Sequence, residues 1–247
     1  MNTLSSKKCQ SHDEGPTAAL SELVLFRDAD PAFLTKLNNN GNIQDFSKGH
    51  VIFLQDDLAE WFYVVLSGWV KLFRQTLDGD EVIVDVLPAG TIFGETDLFD
   101  NKQYSCSAEV VQDAKIAAYP ISILRNEIAT NQTFSLKMLK HLVQGQREKD
   151  KEIEHRTIQN APQRLGCFLL RLIPAKKANP VVLHLPYDKT LIASRLGMQS
   201  ETFSRALARL KDDLGLKVSG STIEIKSMDE LISYTCSACS NAYPCED

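Results

Sequence analysis

Two sets of side chains in this chain have the types and spacing to do chemistry. Ser200, Glu201, Ser204 and Arg205 are two adjacent pairs set four residues apart, so a helix carries all four on one side of its first turn and a half. An arginine fork matches guanine O6 and N7, a carboxylate accepts from cytosine N4, and a hydroxyl suits either kind of base edge. The second set is Cys236, Cys239 and Cys245 in the closing run CSACSNAYPCED. A C-x2-C pair with a third cysteine six residues on has the spacing of thiolate ligands. An iron–sulfur cluster, zinc, a thiol–disulfide switch and no ligand at all remain open.

The elements that must position the polar quartet follow from apolar spacing. Leu191, Ile192 and Leu196 form one helical stripe, and Phe203, Ala206, Leu207 and Leu210 form a second. Gly197 breaks the pattern where a tight inter-helix turn needs a residue without Cβ, and Ser200 is expected as the N-cap of the second helix. LKVSGSTIEIKS then reads as a two-stranded wing turning at Ser219–Ser221, and VVLHLP as a short strand before the first helix. Further upstream, helical spacing covers 18–38, with Pro31 opening a short helix. From Ile43 to Ser122 the runs VIFLQ, WFYVVL, WVKLF, EVIVDVL and KIAAYPI alternate with Gly turns, which predicts a β-sandwich or roll with a hairpin at Asp78-Gly79. A long helix is predicted over 131–159. Its seam Ser135, Leu139, Leu142, Gln146, Lys149 and Ile153 has the alternating steps of four and three that suit a two-helix interface, and Lys149 would face its own copy there at a cost.

The totals limit the function classes. With 247 residues and 43% hydrophobic content, the chain has room for two cores. No apolar run approaches a membrane span, and MNTLSSKKCQSHDEGPT lacks the apolar region of a signal peptide, so the expectation is a cytoplasmic protein with a polar N-terminal tail over 1–17. Net charge is −5, yet residues 160–230 hold 11 Lys+Arg against 7 Asp+Glu, so this segment is +4 and the remainder −9. A basic segment on an acidic body suits one nucleic-acid face. Cys167, inside LGCFLL, reads as a buried small residue, and Cys106 as more open. No nucleophile–base set and no phosphate-binding loop of the P-loop type argues for catalysis.

Taken together, FYVVLSGWVKLF, FGETDLF, the long helix into NAPQRLGCFLLRL, and LIASRLGMQSETFSRALARL make the chain resemble the Crp/Fnr family of bacterial transcription regulators, nearest its oxygen- and nitric-oxide-responsive branches. The resemblance spans about Ser21 to Leu231. It implies an α+β fold: an N-terminal cyclic-nucleotide-binding-like β-roll (18–130), a dimerisation helix (131–159), and a C-terminal winged helix-turn-helix (160–231) followed by a cysteine-rich tail (232–247). It also implies a homodimer on palindromic DNA, with RNA polymerase as a further partner.

On the family's pattern, Glu201 and Arg205 are base contacts. Ser200 and Ser204 stand where the cyclic-AMP branch has Arg and Gly, which implies a TTGAT-like half-site instead of TGTGA. Gly94 and Glu95 match the start of the family's phosphate cassette, but Tyr104-Ser105-Cys106-Ser107-Ala108 offers no Arg to pair a cyclic phosphate. Oxygen-sensing members carry C-x2-C-x5-C among their [4Fe–4S] ligands, so Cys236, Cys239 and Cys245 imply such a cluster. Its fourth ligand is open, because the family's β-roll cysteine is here Ala117. Zinc, haem on His50, His141 or His155, and no cofactor are the alternatives.

Overall fold

The structure, a computed structural model, describes residues 20–239 except 22, 100–101, 174–179, 186–188, 221 and 238. Cys9, Cys245, the 1–17 tail and Ser221 of the wing turn lie outside the described residues. Helix α1 (Pro31–Asn40) leads into β1 (Asn42–Phe46), β2 (Val51–Phe53), β3 (Trp61–Gln75), β4 (Glu81–Leu87), β5 (Ile92–Phe93), a single 3-10 turn (Thr96–Leu98) and β6 (Ser107–Pro120). Helices α2 (Ile121–Thr130), α3 (Gln132–Ile158) and α4 (Ala161–Arg171) follow. Then come β7 (Val181–His184), α5 (Lys189–Arg195), α6 (Ser200–Leu214), β8 (Lys217–Ser219), β9 (Thr222–Ile225) and α7 (Met228–Cys236). No described helix is long and apolar enough to cross a membrane.

The β-roll is built on two long antiparallel strands, β3 and β6, in register from Trp61↔Pro120 to Phe73↔Ser107. The sheet order is β1-β6-β3-β4, with β2 on β6 and β5 on β3. Strands this long must bend to enclose a core, and the register shifts at Val65–Trp69 supply the bend. Gly68 sits at its centre with φ +81°, and a Cβ there would lie 2.2 Å from the Asp113 carbonyl oxygen, so only glycine lets the strands approach this closely. Inside the roll, Phe53, Val65, Val70, Phe93, Tyr104 and Ile116 pack together. Beneath it, Phe26, Phe33, Phe62, Tyr119, Leu124, Phe134 and Met138 tie α1, α2 and the start of α3 to the sheet.

Side chains start the helices where the backbone N–H groups need acceptors. Asp30 caps α1, Asn131 caps α3, and Asn160 and Gln163 form a reciprocal capping box on α4. Helix α3 runs 27 residues, about 40 Å at 1.5 Å per residue, and buries the side chains of Phe134, Met138 and His155.

Four expectations need correction. Gln199, not Ser200, occupies the N-cap of α6, without a side-chain cap, and Ser200 is the first helical residue. Cys106 is buried, not open. The expected tail from 232 begins inside a helix, because Ser227 caps α7 and its turns continue to Cys236. Two members of the α3 seam turn inward: Ser135 donates its hydroxyl to the Ile128 carbonyl and Leu142 packs on the roll's lower core. The seam's other members Leu139, Gln146, Lys149 and Ile153 are exposed, and Leu136 and Val143 join them on that face.

Candidate DNA-reading face and sensor sites

Helix α6 divides its faces sharply. Phe203, Ala206, Leu207 and Leu210 are buried against Ile192 and Ala193 of α5 and Leu165 and Leu169 of α4. Ser200, Glu201, Ser204 and Arg205 are exposed. The turn before it is fixed by backbone bonds from Leu196 to Ile192, Gly197 to Ser194 and Met198 to Ala193, with Gly197 at φ +62°. Among the described residues, the side chains of Glu201 and Arg205 make neither hydrogen bond nor ion pair, and both are exposed. Ser204 is different: its hydroxyl donates to the Ser200 carbonyl at 2.9 Å. The wing follows directly, with β8 paired to β9 and β9 to β7.

Arg195, at the end of α5, was not singled out by sequence. Its guanidinium binds both oxygens of Glu152 on α3, one at 2.9 Å, and donates Nε to Asp85 on β4 at 3.0 Å. Burial opposes its charge, but the bonds to Glu152 and Asp85 outweigh that and raise its pKa further. Burial likewise pushes the Glu152 carboxyl up, and Arg195 and Arg156 more than reverse this, holding it below the ordinary 4.5. No local signal marks this cluster, because its partners stand 43 and 110 residues from Arg195. Around it, Phe73, Ile83, Val86 and Val111 of the roll join the same apolar cluster as Leu165, Ile192, Phe203 and Ile223.

In the roll, Gly94 has φ +78°, as a tight turn requires, and its missing Cβ would touch the Tyr104 ring. Glu95 is buried, but its Oε1 meets His141 Nε2 of α3 at 3.0 Å, so its carboxylate already has a protein partner. Asp97 accepts from the Ser105 backbone N–H at 3.1 Å. The Tyr104 ring stacks on Phe53 at 3.7 Å, and its hydroxyl donates to the Trp61 carbonyl at 2.7 Å. Burial, first of all, pushes its phenol pKa well up. Arg74 spends its Nε on the Ser105 carbonyl.

The structure brings two of the three tail cysteines onto one turn. Cys239 N–H donates to the Cys236 carbonyl at 3.1 Å, and the Cys239 sulfur accepts from Gln159 Nε2 at 3.0 Å. Cys245 lies outside the described residues. Among those described, no three His, Cys, Asp or Glu side chains gather as a metal site. The three histidines considered for haem go separate ways: His50 stacks on Phe46, His141 pairs with Glu95, and His155 is buried beside Cys167.

Residues 43–131 match the cyclic nucleotide-binding domain, and residues 163–234 match the Crp-like helix-turn-helix domain. The chain is 24% identical over 215 residues to the CRP-like cAMP-activated global transcriptional regulator of Mycobacterium tuberculosis, covering 86% of this chain and 96% of that one. It is 26% identical over 188 residues to the fumarate and nitrate reduction regulatory protein of Yersinia pestis, covering 74% of each. A crystal structure of a putative cyclic nucleotide binding protein from Ruegeria pomeroyi is 31% identical, covers 89% of this chain and 96% of its own, and superposes with a TM-score of 0.68.

Proposed function

The chain belongs to the Crp/Fnr family of DNA-binding transcription regulators, and from that premise we propose that it is a homodimeric, non-enzymatic regulator reading a TTGAT-like palindrome in response to oxygen, nitric oxide or redox state. The observation that carries the DNA reading is the outward reach of Glu201 and Arg205 on a helix whose opposite face is buried. In this reading Arg205 binds guanine O6 and N7 as a fork, Glu201 accepts from cytosine N4, and Ser200 and Ser204 line the same groove. Two copies present their α6 helices to successive major grooves, one helical turn apart. The exposed face of α3 around Leu139, Gln146, Lys149 and Ile153 supports self-association, with Leu142 at its inner edge. RNA polymerase is a further proposed partner, and 18–130, 131–159 and 160–231 the proposed division of labour. Titration of purified protein with TTGAT and TGTGA palindromes tests the operator reading. Equal affinity for the two overturns the use made of Ser200 and Ser204.

The signal is the finer part of the proposal. The Glu95–His141 pair and the lack of an Arg in Tyr104-Ser105-Cys106-Ser107-Ala108 weigh against a nucleotide ligand in the roll. The shared turn of Cys236 and Cys239 supports a [4Fe–4S] cluster held by these two, Cys245 and a fourth ligand. Such a group, when bound, would supply oxygen- and nitric-oxide-sensitive chemistry at the end of α7. Helix α7 packs directly on α4, where a Cβ at Gly166 would lie 2.3 Å from Thr235 Oγ1, so a change at Cys236 bears on the DNA-binding core. The test is the visible spectrum and the iron, sulfide and zinc content of protein purified without air. Iron with acid-labile sulfide supports the cluster. A Soret band, or a colourless protein containing zinc, overturns it. Tight cyclic-nucleotide binding by calorimetry overturns the redox reading as a whole, and unchanged operator binding after all three tail cysteines become Ser assigns the chain to a constitutive DNA-binding role.

A further inference from the structure

We propose that the cleft between α3, α4 and α5 is a thiol-oxidation site in which Cys167, activated by His155, takes one oxygen atom from a small hydroperoxide. The site is separate from the DNA-reading face, and its Gln159 also donates to the Cys239 sulfur at 3.0 Å. Cys167 on α4 is 9% exposed, outside any disulfide, and its sulfur lies 3.6 Å from Nδ1 of His155, a buried histidine on α3. The cleft beside the pair is about 50 Å³, room for a molecule of a few heavy atoms. Gln159, Arg164, Arg171, Arg195 and the carboxylate of Glu152 are among its lining residues.

Three observations point to a small polar reactant. Gln159 is 5% exposed and lines the cleft, and its amide oxygen has no hydrogen-bond partner among the described residues. A buried acceptor left in this state is costly unless a donor reaches it. Arg164 lines the same cleft, and its Nε is a buried donor without a partner among the described residues. A molecule that both donates and accepts within a few ångströms satisfies the two together, and hydrogen peroxide does so while fitting the volume. His155 supplies the base. Burial, and then the Arg171 cation, push its pKa below 6.5, so near neutral pH the imidazole is uncharged and able to accept the thiol proton. The resulting thiolate would share the cleft with Arg164 and Arg171, while Arg195 there is paired to Glu152 and Asp85.

The step balances without a further reactant. His155 takes the proton from the Cys167 thiol. The sulfur lone pair attacks one peroxide oxygen, an S–O bond forms and the O–O bond breaks. The leaving hydroxide takes the proton from His155 and departs as water. Sulfur is oxidised to the sulfenic acid and the peroxide is reduced. The added oxygen enters the space beside Arg195, the residue that joins α5 to α3 and β4.

The experiment uses the full chain with hydrogen peroxide, a sulfenic-acid trap, and peptide-resolved mass spectrometry to give a rate for each cysteine. Cys106, equally buried, is the internal reference. The expected result is labelling of Cys167 at least tenfold faster than Cys106, and a tenfold or greater fall at Cys167 in His155→Gln, the scale of a lost general base. Labelling of Cys167 no faster than Cys106 overturns the proposal. So does a wild-type rate in His155→Gln. Sulfur is read on protein without DNA, so failure here leaves the operator reading standing, and failure of operator binding leaves the labelling result standing.

Discussion

What holds Arg205 and Glu201 differs from what holds Ser204, and their substitutions separate accordingly. Neither charged side chain has a partner among the described residues, so each is available to a base edge. Arg205→Ala is expected to cost about 1–3 kcal/mol on the preferred operator and to relax the preference at the guanine it reads, checked by titrating a set of single-base operator variants. Ser204→Ala removes a hydroxyl already bonded to the Ser200 carbonyl, and should change affinity less than Arg205→Ala in the same titration. At Gly68 the constraint is backbone geometry. An alanine there combines a left-handed φ with a 2.2 Å approach to the Asp113 oxygen, and Gly68→Ala should lose about 2–3 kcal/mol in urea unfolding. Of these residues, the DNA-reading set was legible because helical spacing and side-chain chemistry are local properties. Arg195 was not, since nothing near it in the chain names Glu152 or Asp85. Cys167 was read as filler for the same reason: its imidazole partner lies on the preceding helix, a contact that only the α3–α4 corner creates.

Among the elements, the β-strands and the helix-turn-helix were written in periodicity, whereas the orientation of α3 was not. Its heptad spacing leaves open which members face the body, and what decides is the packing of Leu142 on the roll's lower core and the Ser135 bond to Ile128 of α2. This yields a test by contrast. Leu139→Glu and Ile153→Glu put charge on the exposed face and should shift the protein toward monomer in sedimentation equilibrium, with folding little changed. Leu142→Glu puts charge against the roll and should lower thermal stability as well. Helix α7 was overlooked despite an audible signal, Ser227 followed three residues later by Glu230, the start of a capped helix. The cysteine spacing drew attention to the tail, and the helix that carries Cys236 went unread.

At the scale of the whole molecule, the basic reading unit and the acidic roll meet at one cation. The Arg195–Glu152–Asp85 cluster carries a pH dependence whose sign follows from Glu152. Its folded pKa is depressed below 4.5, so its contribution is fully present above the unfolded value and is lost as pH falls through the lowered folded value. As pH falls through the carboxylate range the wild type should therefore lose stability relative to Glu152→Gln. Calorimetry of both proteins across that range reads it. Beside this cluster, Phe73, Ile83, Val86 and Val111 of the roll sit in the same apolar cluster as the reading unit. Such sharing limits modularity. A reading unit cut from this chain and grafted onto another sensor would carry a bare oily facet where Ile83 and Val86 had been, and the sensor left behind would carry its mirror. The two halves of this protein are thus poor interchangeable parts, and any lineage that recombined them would have to redraw this facet before the hybrid stayed in solution.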